Sequence, residues 1–339
     1  MFNKLTKPYV IAELSGNHNG SIERAKAIIE SAKKNGADCV KLQTYNPDTM
    51  TIKSDKQDFK ISSGLWKGYN LWDLYEWAQT PFDWQNELFM HANKIGINCI
   101  STPFDETAVD LLEEIGCPFY KIASFEITDL PLIEYIARTK KPIIMSTGMA
   151  NEEEISDAIE VLNEHGSGDF AILHCVSGYP TPVEQINLET INLLRDRFKC
   201  EVGLSDHTLG NTSAIISIAY GVKIIEKHFT LSREDGGPDA DFSMEPKELN
   251  DLCIELEIAH KAIGTQSFER KEAEKSNIKF RRSIYVVEDM KKGQMLTKKN
   301  IRRIRPGYGL SPKHFSSVLG RKIKSDISRG TALEWSLIE

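Results

Sequence analysis

No apolar run in this 339-residue chain approaches the roughly 20 residues that a helix needs to span a bilayer, so no membrane partner is expected. The opening MFNKLTKPYVIAELS lacks a cationic segment followed by an apolar core and passes directly into a strand-like run. No signal peptide is expected, and the cytoplasm is the expected location. Cysteine is sparse: Cys39, Cys99, Cys117, Cys175, Cys200 and Cys253 show no CxxC spacing, and five of them lie in or beside apolar runs. Free, buried thiols in a reducing compartment follow from that pattern, ahead of catalytic thiols. No GxGxxG follows the first strand-like run, which weakens a doubly wound nucleotide-binding sheet.

With 40% hydrophobic and 27% charged residues, the chain reads as a globular protein, long enough for one large domain and a small one. Its net charge of −7 is unevenly spread. Residues 279–339 carry 15 basic and 5 acidic side chains, leaving 27 basic and 44 acidic in the rest. A basic tail on an acidic body suits nucleic acid, an anionic substrate, or docking on the body itself. The tail alternates strand-like runs and turns, as a folded module does, which favours docking, and no nucleic acid is expected.

Strand-like and helix-like patterns alternate along the chain. Strands are expected at 9–14, 38–43, 97–102, 118–124, 142–147, 170–176, 200–205 and 222–229. Helices are expected near 21–35, 83–95, 105–115, 129–139, 151–165, 187–198, 211–220 and 245–264. Ser21, Asp105, Asp129 and Asn151 stand where N-caps belong, and glycines follow several helix ends. Eight strand–helix units predict an α/β fold of the (β/α)8 TIM-barrel type over 1–264. An exposed linker is expected at 265–282, and a small module at 283–339.

In such a barrel, chemistry sits at the C-terminal strand ends. Polar residues gather there: Glu13, Lys41 with Gln43, Thr102, Lys121 with Ser124, Ser146 with Thr147, Ser177, Ser205 with His207, and Glu226 with His228. Residues two apart share one strand face. His207, ending KCEVGLSDH, and His228, in GVKIIEKHF, each have a carboxylate close by in sequence, Asp206 or Glu226. Two neutral imidazoles from neighbouring strands suit a divalent metal with open positions, although a single histidine at a strand end is commonly only a satisfied polar residue. The long connection 46–82 carries Trp66, Tyr69, Trp72, Tyr75 and Trp77, suited either to covering a sugar ring or to capping the barrel.

The segments IAELSGNHNGS, KLQTY, STPFDETAVDLLEEIG, KIASFEI, IMSTGM, LHCVSGYPTP, VGLSDHTLG, IIEKHFTL and GGPDADFS resemble, in order, the sialic acid synthase family. The terminal RRSIYV, GQMLT, IRRIRPGYGL and LGRKIKSDISRGTAL resemble that family's antifreeze-like (SAF) domain, so the resemblance covers nearly the whole chain. GLWKGYNLWDLYEWAQTPFDW, SFEITDLPLIEYIA and TLSREDGGPDADFSMEP are most similar to the pseudaminic branch. The alternative is a neuraminate or legionaminate branch using a mannose-type sugar.

The resemblance implies condensation of phosphoenolpyruvate with 2,4-diacetamido-2,4,6-trideoxy-L-altrose, with phosphate leaving by C–O cleavage. It implies a divalent cation, Mn²⁺ first and Mg²⁺ or Co²⁺ as options, and a homodimer whose SAF domain covers the partner's active site. On the same ground Lys41, Thr102, Lys121, Ser124, Ser146, Ser177 and Ser205, with Gln43 as a weaker member, would hold phosphoenolpyruvate. Each Ser or Thr alone would suit a local backbone bond or a helix cap. Tyr179 and Asp239 would hold the sugar, and Arg305 would reach its N-acyl group from the partner chain. His207 and His228 would hold the metal. Glu13 is the first candidate for proton transfer and Glu226 the second, with an ion pair to a lysine such as Lys121 as the latter's other role. Two further classes stay open: a metal-dependent aldolase or isomerase that releases no phosphate, and a polyanion-binding protein.

Overall fold

Short runs of aliphatic and β-branched residues form eight parallel strands, which close in chain order into one barrel. They are β1 (Tyr9–Glu13), β2 (Cys39–Thr44), β3 (Asn98–Pro103), β4 (Tyr120–Ile122), β5 (Ile143–Ser146), β6 (Phe170–Cys175), β7 (Glu201–Ser205) and β8 (Ile224–His228). This computed structural model describes residues Met1–Glu339. The chain divides into two units, Met1–Gly264 and Thr265–Glu339.

The barrel helices are α1 (Ile22–Lys34), α4 (Phe82–Ile95), α5 (Glu106–Glu114), α6 (Leu130–Arg138), α7 (Glu152–His165), α8 (Thr190–Phe198), α9 (Thr212–Ser217) and α10 (Pro246–Ile263). Their starts follow from capping. Ser21, Asp105, Asp129 and Asn151 each accept a hydrogen bond from a first-turn amide. Glu154 returns its carboxylate to the Asn151 amide, completing a reciprocal box. Gly96 ends α4 at φ 75°, a left-handed conformation that costs a side chain least when the residue is glycine.

Helix faces bury Ile29, Leu88, Leu112, Ile133 and Leu252 against the strands. Each such side chain contributes about 1.5–3 kcal/mol by leaving water, which holds the strand ends in a fixed frame. All six cysteines are free; four are buried, while Cys200 and Cys253 are half-buried.

The expected run at 118–124 pairs as a strand only over Tyr120–Ile122, because the chain turns into a single 3-10 turn at Ser124–Glu126. The connection 46–82 holds two more helices, α2 (Pro47–Met50) and α3 (Leu71–Ala78). No helix is long and apolar enough to cross a membrane.

In the second unit, residues 265–282 are exposed along nearly their whole length and contain α11 (Glu272–Lys275). Beyond them, β9 (Ser283–Val286) pairs antiparallel with β10 (Ile301–Ile304). A separate core of Ile284, Val286, Leu296, Ile301, Val318, Ile323 and Leu333 holds this unit together.

Candidate active site

Strand register brings the acidic and basic groups to one level. Glu13 is paired with Lys41 on one side and with His228 on the other, and Ser205 is paired with Glu226. The Lys41 ammonium therefore sits between two carboxylates, 3.2 Å from Glu13 Oε2 and 3.0 Å from Glu226 Oε1. Lys121 Nζ lies 3.9 Å from Glu226 Oε1 and donates to the Ile122 carbonyl at 2.9 Å. All four side chains are buried yet line a cavity of about 430 Å³ at the strand ends.

This environment drives the two carboxyl groups apart. Burial pushes Glu13 up to about 7, against the pull of Lys41. Burial opposes the charge on Glu226 too, but Lys121 and Lys41 together outweigh it and hold its pKa below the ordinary value. Burial also lowers Lys121 to about 8. A proton-holding carboxyl beside a permanently charged one is the division of labour that acid–base chemistry uses. Several buried atoms on this wall have no hydrogen-bond partner, among them Glu226 Oε2, Ser146 Oγ and His228 Nδ1. Buried polar atoms are rarely left so, and here they face a cavity that a polar ligand could fill.

His207 and His228 meet with ring centroids 5.4 Å apart. His207 Nδ1 lies 3.1 Å from the Val176 carbonyl, which leaves Nε2 for the cavity. His228 Nδ1 lies 3.9 Å from Asp239 Oδ2. Burial holds His228 neutral at ordinary pH. Burial disfavours the charged form of His207 as well, but Cys175 and the Val176 carbonyl outweigh it and raise its pKa. No three His, Cys, Asp or Glu side chains are placed to hold a metal ion by themselves. Two imidazoles with a free nitrogen fit a divalent cation whose remaining ligands come from substrate and water.

A hydrogen-bonded chain leads away from the charged floor. Gln43 donates to Glu13 Oε1 at 2.9 Å and to Ser15 Oγ at 3.1 Å, and Ser15 donates to Asp239. Burial pushes Asp239 up to about 6. Tyr179 packs its ring 4.6 Å from that of His207.

The NeuB family matches residues 28–268, and the SAF domain matches residues 281–339. This chain belongs to the NeuB family. The pseudaminic acid synthase of Campylobacter jejuni (serotype O:2) is 42% identical over 333 residues, covering 98% of this chain and 97% of its own. That of Helicobacter pylori is 41% identical over 337 residues, covering 99% of each. Among solved structures, an N-acetylneuraminic acid synthetase from Leptospira borgpetersenii in complex with citrate superposes with a TM-score of 0.72. It is 31% identical and covers 80% of this chain and 90% of its own.

In this NeuB-family barrel, twelve sequence-selected residues line the one cavity: Glu13, Lys41, Gln43, Lys121, Ser124, Ser146, Tyr179, Ser205, His207, Glu226, His228 and Asp239. Thr102 is buried beside Gln43 in the strand register, its hydroxyl unpartnered, and does not line the cavity. Ser177 does not line the cavity; its hydroxyl and that of Ser124 crowd one side of Gly148, so closely that a methyl group there would collide with both. Arg305 belongs to the second unit and is exposed just after β10.

Asp206, singled out beside His207, does not line the cavity. It pairs with Lys227 at 2.8 Å, because neighbours along a strand point to opposite faces. Ser15, Glu126 and Trp66 also line the cavity. Of these, Trp66 carried an aromatic-loop signal. Glu126 stands inside the quoted KIASFEI, two residues beyond the expected strand at 118–124, with no role assigned to it there; the structure places it at the end of the 3-10 turn Ser124–Glu126. Burial pushes Glu126 up to about 7.

Proposed function

We propose that this chain is a pseudaminic acid synthase, condensing phosphoenolpyruvate with 2,4-diacetamido-2,4,6-trideoxy-L-altrose to give pseudaminic acid and phosphate. The carrying observation is identity of 42% with a pseudaminic acid synthase across 98% of the chain. The cavity chemistry supports it. Lys41 and Lys121, with Ser124, Ser146 and Ser205, supply cations and hydroxyls suited to the carboxylate and phosphate of phosphoenolpyruvate, while Ser177 and Thr102 lie outside the cavity lining.

His207 and His228 would hold a divalent cation, Mn²⁺ first, which when bound polarises the sugar aldehyde and lowers the pKa of a water. C3 of phosphoenolpyruvate attacks the aldehyde carbon, and water adds to the oxocarbenium carbon left at C2. Collapse of that tetrahedral centre breaks the bond between C2 and the phosphate oxygen. Glu13, at about 7, is poised to give a proton to the new hydroxyl and take one from water. Glu226 stays anionic and keeps the two lysines charged. Gln43 fixes the direction of the Glu13 carboxyl.

Tyr179, Asp239 and Glu126 face the sugar in this reading. The protein acts in the cytoplasm as a homodimer, and Arg305 reaches the N-acyl group in the partner's cavity. The turn after Arg305 is tied down: Gly307 N donates to Lys279 O at 2.8 Å and Ser283 Oγ donates to Pro306 O at 2.6 Å. That fixed backbone suits a presented guanidinium.

The deciding experiment measures phosphate release from phosphoenolpyruvate and Mn²⁺ with the diacetamido altrose, its mannose-type counterpart, or N-acetylmannosamine. Release with the altrose alone is expected. Release with N-acetylmannosamine alone would move the chain to the neuraminate branch, and release with none would overturn the condensing reaction.

A further inference from the structure

The walls of the cavity differ in chemistry according to where they come from. Strand ends supply the charged groups. The β2–α4 connection supplies Met50, Ile61, Trp66, Leu71 and Leu74, and Phe104 after β3 joins them. This connection is a built arm. Lys60 bridges Asn70, Ile61 N donates to Tyr69 O at 2.9 Å, and Gly68 N returns to Ile61 O at 2.9 Å. At its tip, Trp66 Nε1 donates to the Pro238 carbonyl at 2.6 Å, and the indole lies 5.6 Å from the Tyr179 ring. Tyr45 and Tyr75 line the cavity beside them, Tyr45 packing edge-on against Phe104 and Tyr75 at 5.3 and 5.9 Å.

These six wall side chains offer a ligand no hydrogen-bond partner; the phenol hydroxyls beside them belong to Tyr45 and Tyr75. Five of the six carry no strong donor or acceptor, and the only N–H among them is engaged by Pro238. A hydroxyl held against such a wall loses its water without replacement. A methyl group there loses nothing and gains burial.

We infer that this arm selects the sugar by its deoxygenated and acylated end: the wall receives the C6 methyl and the methyl of the 4-acetamido group, and disfavours a C6 hydroxyl. The inference rests on the condensing reaction proposed above and adds to it the residues that choose the substrate. An apolar wall rejects an added hydroxyl by no more than roughly 10²-fold, so the preference is a graded one.

The test compares kcat/KM for phosphate release within sugar pairs that differ only at C6. One pair is the diacetamido-trideoxy altrose and its 6-hydroxy counterpart, and the other is the matching mannose-type pair. Wild type is expected to prefer the 6-deoxy member by roughly ten- to a hundredfold. Ile61→Asn on the arm and Leu71→Asn at the start of α3 each offer the hydroxyl a partner. Either is expected to cut that preference at least about tenfold through the sugar's KM. The KM for phosphoenolpyruvate reports whether each variant has kept its fold. A wild type indifferent to C6, or a preference unchanged in both variants, would overturn the inference. Turnover of the mannose-type pair alone would overturn the altrose reading while leaving the wall's preference measurable. Turnover of neither pair would sink both.

Discussion

Two buried ion clusters meet at β8, one through Lys227 and the other through Glu226, and their contrast shows what marks a functional charge. Behind the barrel wall, Asp206 takes the Thr208 amide and hydroxyl at 2.9 and 2.8 Å and Lys227 at 2.8 Å. Lys227 also donates to the Thr208 carbonyl at 2.8 Å. Every charge in that pair is answered. On the cavity side, Glu226 keeps an unpartnered oxygen, Glu13 is pushed toward neutrality, and Lys121 is held by a carbonyl and a distant carboxylate. Burial is equal in the two clusters; completeness of hydrogen bonding differs. The complete cluster ties the end of β7 to β8, and the incomplete one presents unpartnered polar atoms to the cavity.

The largest break in this comparison is expected from Lys41→Met. It removes the cation between Glu13 and Glu226 and one of the two lysines proposed to face the anion. A loss of about 2–5 kcal/mol in phosphoenolpyruvate binding is expected, read as a raised KM and as lost retention of the ligand in calorimetry. Undiminished phosphoenolpyruvate affinity in a folded variant would remove Lys41 from the anion site.

Asp206→Asn tests the other cluster and should do the reverse. The shape and one acceptor stay, while the charge that answers Lys227 goes. Unfolding free energy should fall by about 1–3 kcal/mol in urea titration, with kcat per folded molecule within about twofold of wild type. A selective fall in kcat without loss of stability would place Asp206 in the reaction after all.

The barrel, its strand ends and most cavity residues were legible because period-two alternation, caps and chain order are local signals. Ser21, Asp105, Asp129 and Asn151 cap the helices that their positions announce. What was not legible depends on turns and on distant contact. Asp206 stands one residue before its histidine and Glu226 two, so parity alone puts Glu226 on the face of His228 and turns Asp206 away. What parity does not give is the partner, Lys227, that Asp206 meets there. Glu126 carries no strand-end signal because it lies two residues beyond the expected strand at 118–124, on the 3-10 turn Ser124–Glu126. The hydrogen bond from Trp66 to Pro238 joins segments 172 residues apart, beyond the reach of any spacing rule.

The smallest effect, and the one whose sign separates the clusters most sharply, is expected from Glu126→Gln. Burial raises this carboxyl from an ordinary 4.5 to about 7, with Lys121 opposing. Its protonated form is therefore favoured in the folded chain. That contribution to stability is fully present below about 4.5 and is lost as pH rises through about 7. Glutamine cannot ionise, so the variant escapes the loss. Thermal melts of the ligand-free protein should coincide near pH 5 and diverge by pH 8, with the variant more stable by on the order of 1 kcal/mol. The sugar's KM should rise in the same variant, since Glu126 faces the sugar in the proposed reading. A gain in stability coupled to a loss in function is what an incomplete cluster predicts. If Glu126→Gln instead lowers stability at pH 8, this carboxylate belongs with Asp206 among the groups that hold the barrel together.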